Sequence, residues 1–95
     1  MSLDYAYKLS YLKAFDRAEE SFQKLIVQTD KEIKNYLETG GAPYGLRIKK
    51  IGPRSFEARV SDKVRVVWVR RKNLISFAMV GNHEEVQNYL KSFER

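Results

Sequence analysis

The apolar residues of this chain keep one spacing before Gly40-Gly41-Ala42-Pro43 and another after it, and that change decides what the chain can fold into. Ahead of the break, Leu12, Phe15, Ala18, Phe22 and Leu25 recur every three or four positions. This is the spacing of an amphipathic helix, whose other face carries Lys13, Asp16, Arg17, Glu20 and Lys24. Ser10 stands where an N-cap would. Thr29 followed by Glu32 has capping-box spacing and predicts a second helix, with Ile33, Tyr36 and Leu37 turned inward. The glycine pair and the proline end it. Upstream, Leu3, Tyr5, Tyr7 and Leu9 alternate with Asp4, Ala6 and Lys8, as in a strand.

Beyond the break the period falls to two. Leu46 to Ile51 is expected to be a weak strand, interrupted by Gly52-Pro53. Phe56, Ala58 and Val60 alternate with Glu57 and Arg59, and Ser61-Asp62-Lys63 makes a short turn. Val64, Val66 and Trp68 then alternate with Arg65, Val67 and Val69. That run is apolar on most of both sides, so it belongs at the centre of a sheet, with Trp68 a packing residue. Arg71-Lys72-Asn73 turns the chain into a strand from Leu74 to Val80, completing an antiparallel meander. Asn82, with Glu85 three residues on, predicts the start of a short last helix with Val86, Tyr89, Leu90 and Phe93 on its inner stripe. The fold class is therefore α+β: an N-terminal strand and two helices packed on a small, mainly antiparallel sheet, with a short C-terminal helix. Residues 1–95 are expected to form a single domain.

Charge follows the same division. Residues 1–45 carry six Lys/Arg and seven Asp/Glu, a net of −1, whereas residues 46–95 carry twelve and five, a net of +7. Arg47 to Lys72 concentrates the excess: ten basic side chains against Glu57 and Asp62. At 43% hydrophobic the chain is too apolar to be a disordered basic tail, so the charge is carried on a folded surface. Such a surface either keeps a strand face soluble or receives an anionic partner, and the density of charge favours nucleic-acid phosphate or an acidic protein. No apolar run approaches the ~20 residues that span a bilayer, and Met1-Ser2-Leu3-Asp4 carries no positive charge ahead of an apolar stretch, so no secretory signal is expected there. The chain has no cysteine and one histidine, which removes disulfides, thiolate chemistry and the usual structural zinc sites, and fits a reducing cytosol.

The meander predicts which polar side chains meet. If Val60 pairs with Val64 across the turn, Arg59 pairs with Arg65, and cross-strand partners project from the same face. Two neighbouring guanidiniums repel unless a carboxylate or a bound anion relieves them, and Glu57 is spaced to do the former. The set reads equally as an exposed Arg–Glu–Arg network of little energetic value or as a phosphate clamp. His83, at the junction of the last strand and helix, is the available proton donor or acceptor near neutral pH, or an ordinary polar residue at a helix start. Tyr89, six positions on, falls near the opposite side of that helix. No paired carboxylates at metal-site spacing, no glycine-rich phosphate loop and no serine nucleophile motif are present. The remaining tools suit phosphodiester cleavage of RNA without a metal or other cofactor, because the 2′-hydroxyl of the substrate is itself the nucleophile.

Leu46-Arg-Ile-Lys-Lys-Ile51, Phe56-Glu-Ala-Arg-Val60, Asp62-Lys-Val-Arg-Val-Val-Trp68 and Val80-Gly-Asn-His-Glu-Glu-Val86 together resemble the RelE/ParE superfamily of toxins from type II toxin–antitoxin systems. The order of elements matches that family over nearly the whole chain. The resemblance implies an mRNA endoribonuclease that cuts message in the ribosomal A site, as in RelE-like members; the alternatives are a poison of DNA gyrase, as in ParE-like members, and a non-catalytic homologue that only binds RNA or an antitoxin. It also implies a cognate antitoxin as partner, a homodimer or a heterotetramer with that antitoxin, no membrane, and the cytoplasm of a bacterium or archaeon. By the resemblance, Arg65 contacts the scissile phosphate and Arg59 binds phosphate or helps activate the hydroxyl. His83 takes part in proton transfer, and Tyr89 stacks on the substrate or assists the chemistry. Glu57 stands where the namesake toxin has a lysine, and His83 where it has an arginine, although related family nucleases have histidine in the same Gly-x-His setting. Lys49 and Lys50 match a commonly basic segment that orients RNA, and Lys63, Arg70 and Arg71 complete the expected RNA-binding set.

Overall fold

A computed structural model describes residues 2–93, with the side chain of Phe93 outside the described residues. Along the chain lie β1 (Asp4–Tyr7), α1 (Leu9–Arg17), α2 (Glu20–Thr39), a 3₁₀ turn (Tyr44–Leu46), β2 (Lys49–Lys50), β3 (Ser55–Arg59), β4 (Val64–Arg71), β5 (Leu74–Asn82) and α3 (His83–Phe93). The strands form one sheet in the order β1-β5-β4-β3-β2. β1 runs parallel to β5, and the other neighbours are antiparallel. This is the expected α+β architecture, with β4 in the middle as its two-sided apolar pattern requires.

Alternation along β4 divides the core in two. Val66 and Trp68 face α1 and α2, where they pack with Tyr11, Ile26, Ile33, Ala58, Ile75 and Phe77. Trp68 is buried and stacks on Phe56 with ring centroids 5.8 Å apart, which fits a packing role. Val67 and Val69 face the other way and, with Ala78 and Met79, bury against Val86 of α3. The first cluster is the larger because two helices cover that face; α3 alone cannot cover the second. No helix among the described residues is long and apolar enough to cross a membrane.

The helical layer departs from the sequence expectation in its phase. The break between helices falls at Ala18 and Glu19, both extended (ψ 149° and 154°), and not before Thr29. The Gln23 side-chain amide donates to the Phe15 carbonyl at 2.8 Å, which satisfies an acceptor at the end of α1. Restarting the helix there turns Ile26, Thr29 and Ile33 onto one buried stripe and leaves Leu25 48% exposed. Thr29 is thus an inward mid-helix residue, and its spacing to Glu32 caps nothing. Likewise Lys8, not Ser10, precedes the first turn of α1, and the Ser10 hydroxyl donates instead to the Ala78 carbonyl of β5. Gly40 ends α2 in the left-handed conformation (φ 84°), as the glycine pair predicts. The Leu46–Ile51 segment contracts to two paired residues, Lys49 and Lys50, behind the 3₁₀ turn.

Candidate active site

Because α3 lies over β4 and β5, the same face of the sheet stays open over β2 and β3, and the basic residues collect at that step. The register is the expected one: Val60 donates its amide to the Val64 carbonyl at 2.9 Å, and Arg59 is the partner of Arg65. Glu57, two residues along β3, projects from that same face and pairs with Lys49 of β2.

Arg65 is held from three sides. Its Nε lies 3.5 Å from Glu57 Oε2, and its Nη1 donates to the main-chain carbonyls of Asp62 at 3.0 Å and Ser61 at 3.3 Å. The Arg65 and Glu57 side chains are only 12% and 15% exposed, so this ion pair is better shielded than a surface pair. The turn that joins β3 to β4 therefore also fixes the guanidinium. Arg59 has no ion-pair partner among the described residues, so its charge faces the cleft uncompensated.

His83 is brought to the site by the start of α3. Asn82 and Glu85 form the expected reciprocal cap: Glu85 donates its amide to Asn82 Oδ1, and Asn82 donates its amide to Glu85 Oε1, each at 2.8 Å. Gly81 permits the landing. A Cβ at Gly81 would lie 2.7 Å from Met79 Cε and 2.9 Å from Glu85 Cβ, so the first turn of α3 comes down where only glycine leaves room.

These elements enclose an open cleft of about 460 Å³ lined by Arg47, Lys49, Glu57, Arg59, Arg65, His83 and Gln87, with Ile48 and Ile51. Among the described residues that line it, three arginines and a lysine stand against one carboxylate, so an anion entering here meets an excess of positive charge. Two arginines on one sheet face, one braced and one without an ion-pair partner among the described residues, have the chemistry to hold phosphate oxygens, and an imidazole that lines the same cleft has the chemistry to exchange a proton.

Of the residues that the sequence singled out, Arg65, Arg59, Glu57, His83 and Lys49 come together in this cleft. Tyr89 does not line it; the ring packs beneath α3 with the Val67–Val86 cluster. Lys50 is opposite Phe56 and so projects from the other face of β2. Lys63 lies in the exposed turn behind Arg65. Arg70 and Arg71 stand at the far end of β4, where Arg70 borders a separate hollow with Glu38 and Asn73. Sequence reasoning missed Arg47 and Gln87. Gln87 follows His83 by one helical turn, a spacing that could have revealed it. Arg47 was visible only as charge, since a left-handed backbone (φ 47°) aims it and nothing in the sequence announces that conformation.

No family model matches the sequence, and no curated protein matches it. Solved structures do. The YoeB dimer from Staphylococcus aureus superposes with a TM-score of 0.67 at 14% identity, over 87% of this chain and 99% of that one. YafQ in the E. coli DinJ-YafQ toxin-antitoxin complex gives 0.67 at 17%, over 90% and 98%. The archaeal RelE-RelB complex from Pyrococcus horikoshii OT3 gives 0.66 at 11%, over 86% and 96%. The chain has the RelE-like fold, spanning nearly the full length of these proteins.

Proposed function

We propose that this chain is the toxin of a type II toxin–antitoxin pair and that it inhibits translation by cutting mRNA without a metal ion. The observation that carries the reading is the placement of Arg59, Arg65, Glu57 and His83 in one cleft, on a fold shared with YoeB, YafQ and RelE.

The reaction is an in-line displacement within the RNA. The 2′-oxygen attacks the adjacent phosphorus and loses its proton, the P–O2′ bond forms, and the P–O5′ bond breaks. A 2′,3′-cyclic phosphate and a 5′-hydroxyl result. Arg65 and Arg59 neutralise the charge that grows on the phosphoryl oxygens. His83 protonates the departing 5′-oxygen. Glu57 accepts the 2′-hydroxyl proton; it lines the cleft, whereas Tyr89, the other candidate, does not. Lys49 and Arg47 orient the strand. The ribosomal A site would present the message to this open cleft. A cognate antitoxin would silence the toxin by laying an acidic segment over the basic face. The setting is the cytoplasm.

The test is expression from a tight promoter with mapping of new 5′ ends in cellular mRNA. Codon-phased cuts, lost in His83→Ala and Arg65→Ala, support the proposal. Growth arrest with intact messages and damaged DNA overturns it in favour of a gyrase poison on the same scaffold.

A further inference from the structure

The turn between α2 and β2 displays an aromatic ring at the rim of the basic cleft. Pro43 (φ −63°) leads into the 3₁₀ turn, and Leu46 pins that turn to the core at 2% exposure. Tyr44, two residues earlier, is 92% exposed. Tyr44 opens the turn and Arg47 directly follows its last residue. The guanidinium carbon of Arg47 lies 5.8 Å from the Tyr44 ring centroid. Arg47 holds a left-handed backbone (φ 47°, ψ 61°) that residues other than glycine seldom adopt. The same side chain lines the cleft with Lys49, Arg59, Arg65 and His83.

A single exposed tyrosine is unremarkable on a protein surface. Here the turn that carries the ring is anchored by buried Leu46, and a cation that also borders the basic cleft lies 5.8 Å from the ring centroid. The ring itself is open to solvent.

We propose that Tyr44 and Arg47 form a stacking platform for one unpaired nucleobase of the RNA whose phosphate enters the cleft. The inference rests on the nuclease reading above and specifies the form of its substrate: single-stranded at this position, and read through a π-face. Bases in a duplex are already stacked, so they cannot use such a ring. Every base has a π-face, so the platform tolerates all four. Arg47 joins the two parts of the site, its charge toward the backbone phosphate and its plane toward the base.

The experiment is equilibrium binding of a short single-stranded RNA carrying 2′-O-methyl groups, which removes the nucleophile, followed by fluorescence anisotropy. Tyr44→Ala should weaken binding roughly fivefold to a hundredfold, the range of one base–aromatic stack. Tyr44→Phe should bind within about twofold of wild type, since the ring face is kept. One abasic position along the RNA should cost wild type as much as Tyr44→Ala costs it, and cost Tyr44→Ala nothing further. Arg65→Ala separates the two readings. If Arg65→Ala weakens binding but Tyr44→Ala does not, the platform is wrong and the cleft reading stands. If wild type fails to bind, both are overturned; if Tyr44→Ala weakens binding while Arg65→Ala does not, the ring binds RNA away from the cleft, which overturns the platform and leaves the mapping of mRNA cuts to decide the nuclease reading.

Discussion

Gly81 sits opposite Arg65 in the β4–β5 ladder, so the residue that lets α3 descend and the braced arginine of the cleft share one rung of the sheet. A Cβ at Gly81 would press on Glu85 Cβ at 2.9 Å, and Glu85 completes the cap that starts α3 at His83. Gly81→Ala is therefore expected to lower stability by about 1–3 kcal/mol, the usual cost of overpacking. Asn82→Ala should cost about 1 kcal/mol through the lost cap alone. Urea denaturation followed by circular dichroism measures both. Gly81→Ala leaving stability unchanged would show that α3 can lift off without penalty.

The bracing of Arg65 predicts a division between binding and turnover. Arg65→Lys keeps the charge but loses the planar fork that reaches Glu57 and the carbonyls of Ser61 and Asp62 together. Its single-turnover cleavage rate should drop by about 10²–10³, the loss seen when one donor to a developing oxyanion is removed. Glu57→Gln removes the one carboxylate among the described residues that line the cleft. RNA should bind that variant more tightly while the rate falls by about 10² or more, as for a lost general base. Affinity and rate moving down together in Glu57→Gln would assign Glu57 to positioning Arg65 instead.

How far the sequence could be read depended on how local the cause was. Arg59 facing Arg65 follows from strand alternation and a short turn, and the Asn82–Glu85 cap from a spacing of three; both are seen. The junction of α1 and α2 was missed because no glycine or proline marks it. Ala18 and Glu19 leave the helix so that Ile26, Thr29 and Ile33 can meet the sheet, a tertiary cause that outweighs the Thr29–Glu32 signature. Arg47 and Tyr44 escaped for the same reason: their relation depends on a turn held in place by Leu46 from below. Charge counting weighted Arg70 and Arg71 like Arg59, although the length of β4 carries them to its far end.

The β4–β5 hairpin contains a position that can be improved. Arg71 pairs with Leu74, so Lys72 and Asn73 alone turn the chain, and Lys72 has φ 57°. A left-handed backbone costs an L-residue with a Cβ about 1–2 kcal/mol, and glycine pays little of it. Arg70 Nε donates to the Lys72 carbonyl, which a glycine retains. Lys72→Gly should therefore raise unfolding stability by about 0.5–1 kcal/mol without affecting cleavage, since the turn is remote from the cleft. Thermal melts and the single-turnover assay, run together, check both halves.

Alkaline stability should be set by the aromatic cluster that joins β1 to α2. Tyr5 donates to Glu38 at 2.6 Å; Tyr7 donates to Asp30 at 2.9 Å and accepts from Lys34 at 2.8 Å. Burial, then the bond and charge of Glu38, push Tyr5 from 10.0 up to about 12. Burial also raises Tyr7 and Tyr11. For Lys34 burial acts downward, but its bonds to Tyr7 and Asp30 outweigh it and the net direction is up. In each case the folded chain holds the proton more tightly than the unfolded chain. The contribution to stability is therefore whole below the unfolded values, near 10, and is lost as pH rises through the raised folded values. Urea midpoints should hold steady up to about pH 9–10 and then fall steeply toward pH 12. Tyr5→Phe should start lower by about 0.5–1.5 kcal/mol at neutral pH, for the lost hydrogen bond, and fall less over the alkaline range because it has no phenol to ionise. An alkaline limb identical in wild type and Tyr5→Phe would mean that the Tyr5 phenol titrates alike in the folded and unfolded chains.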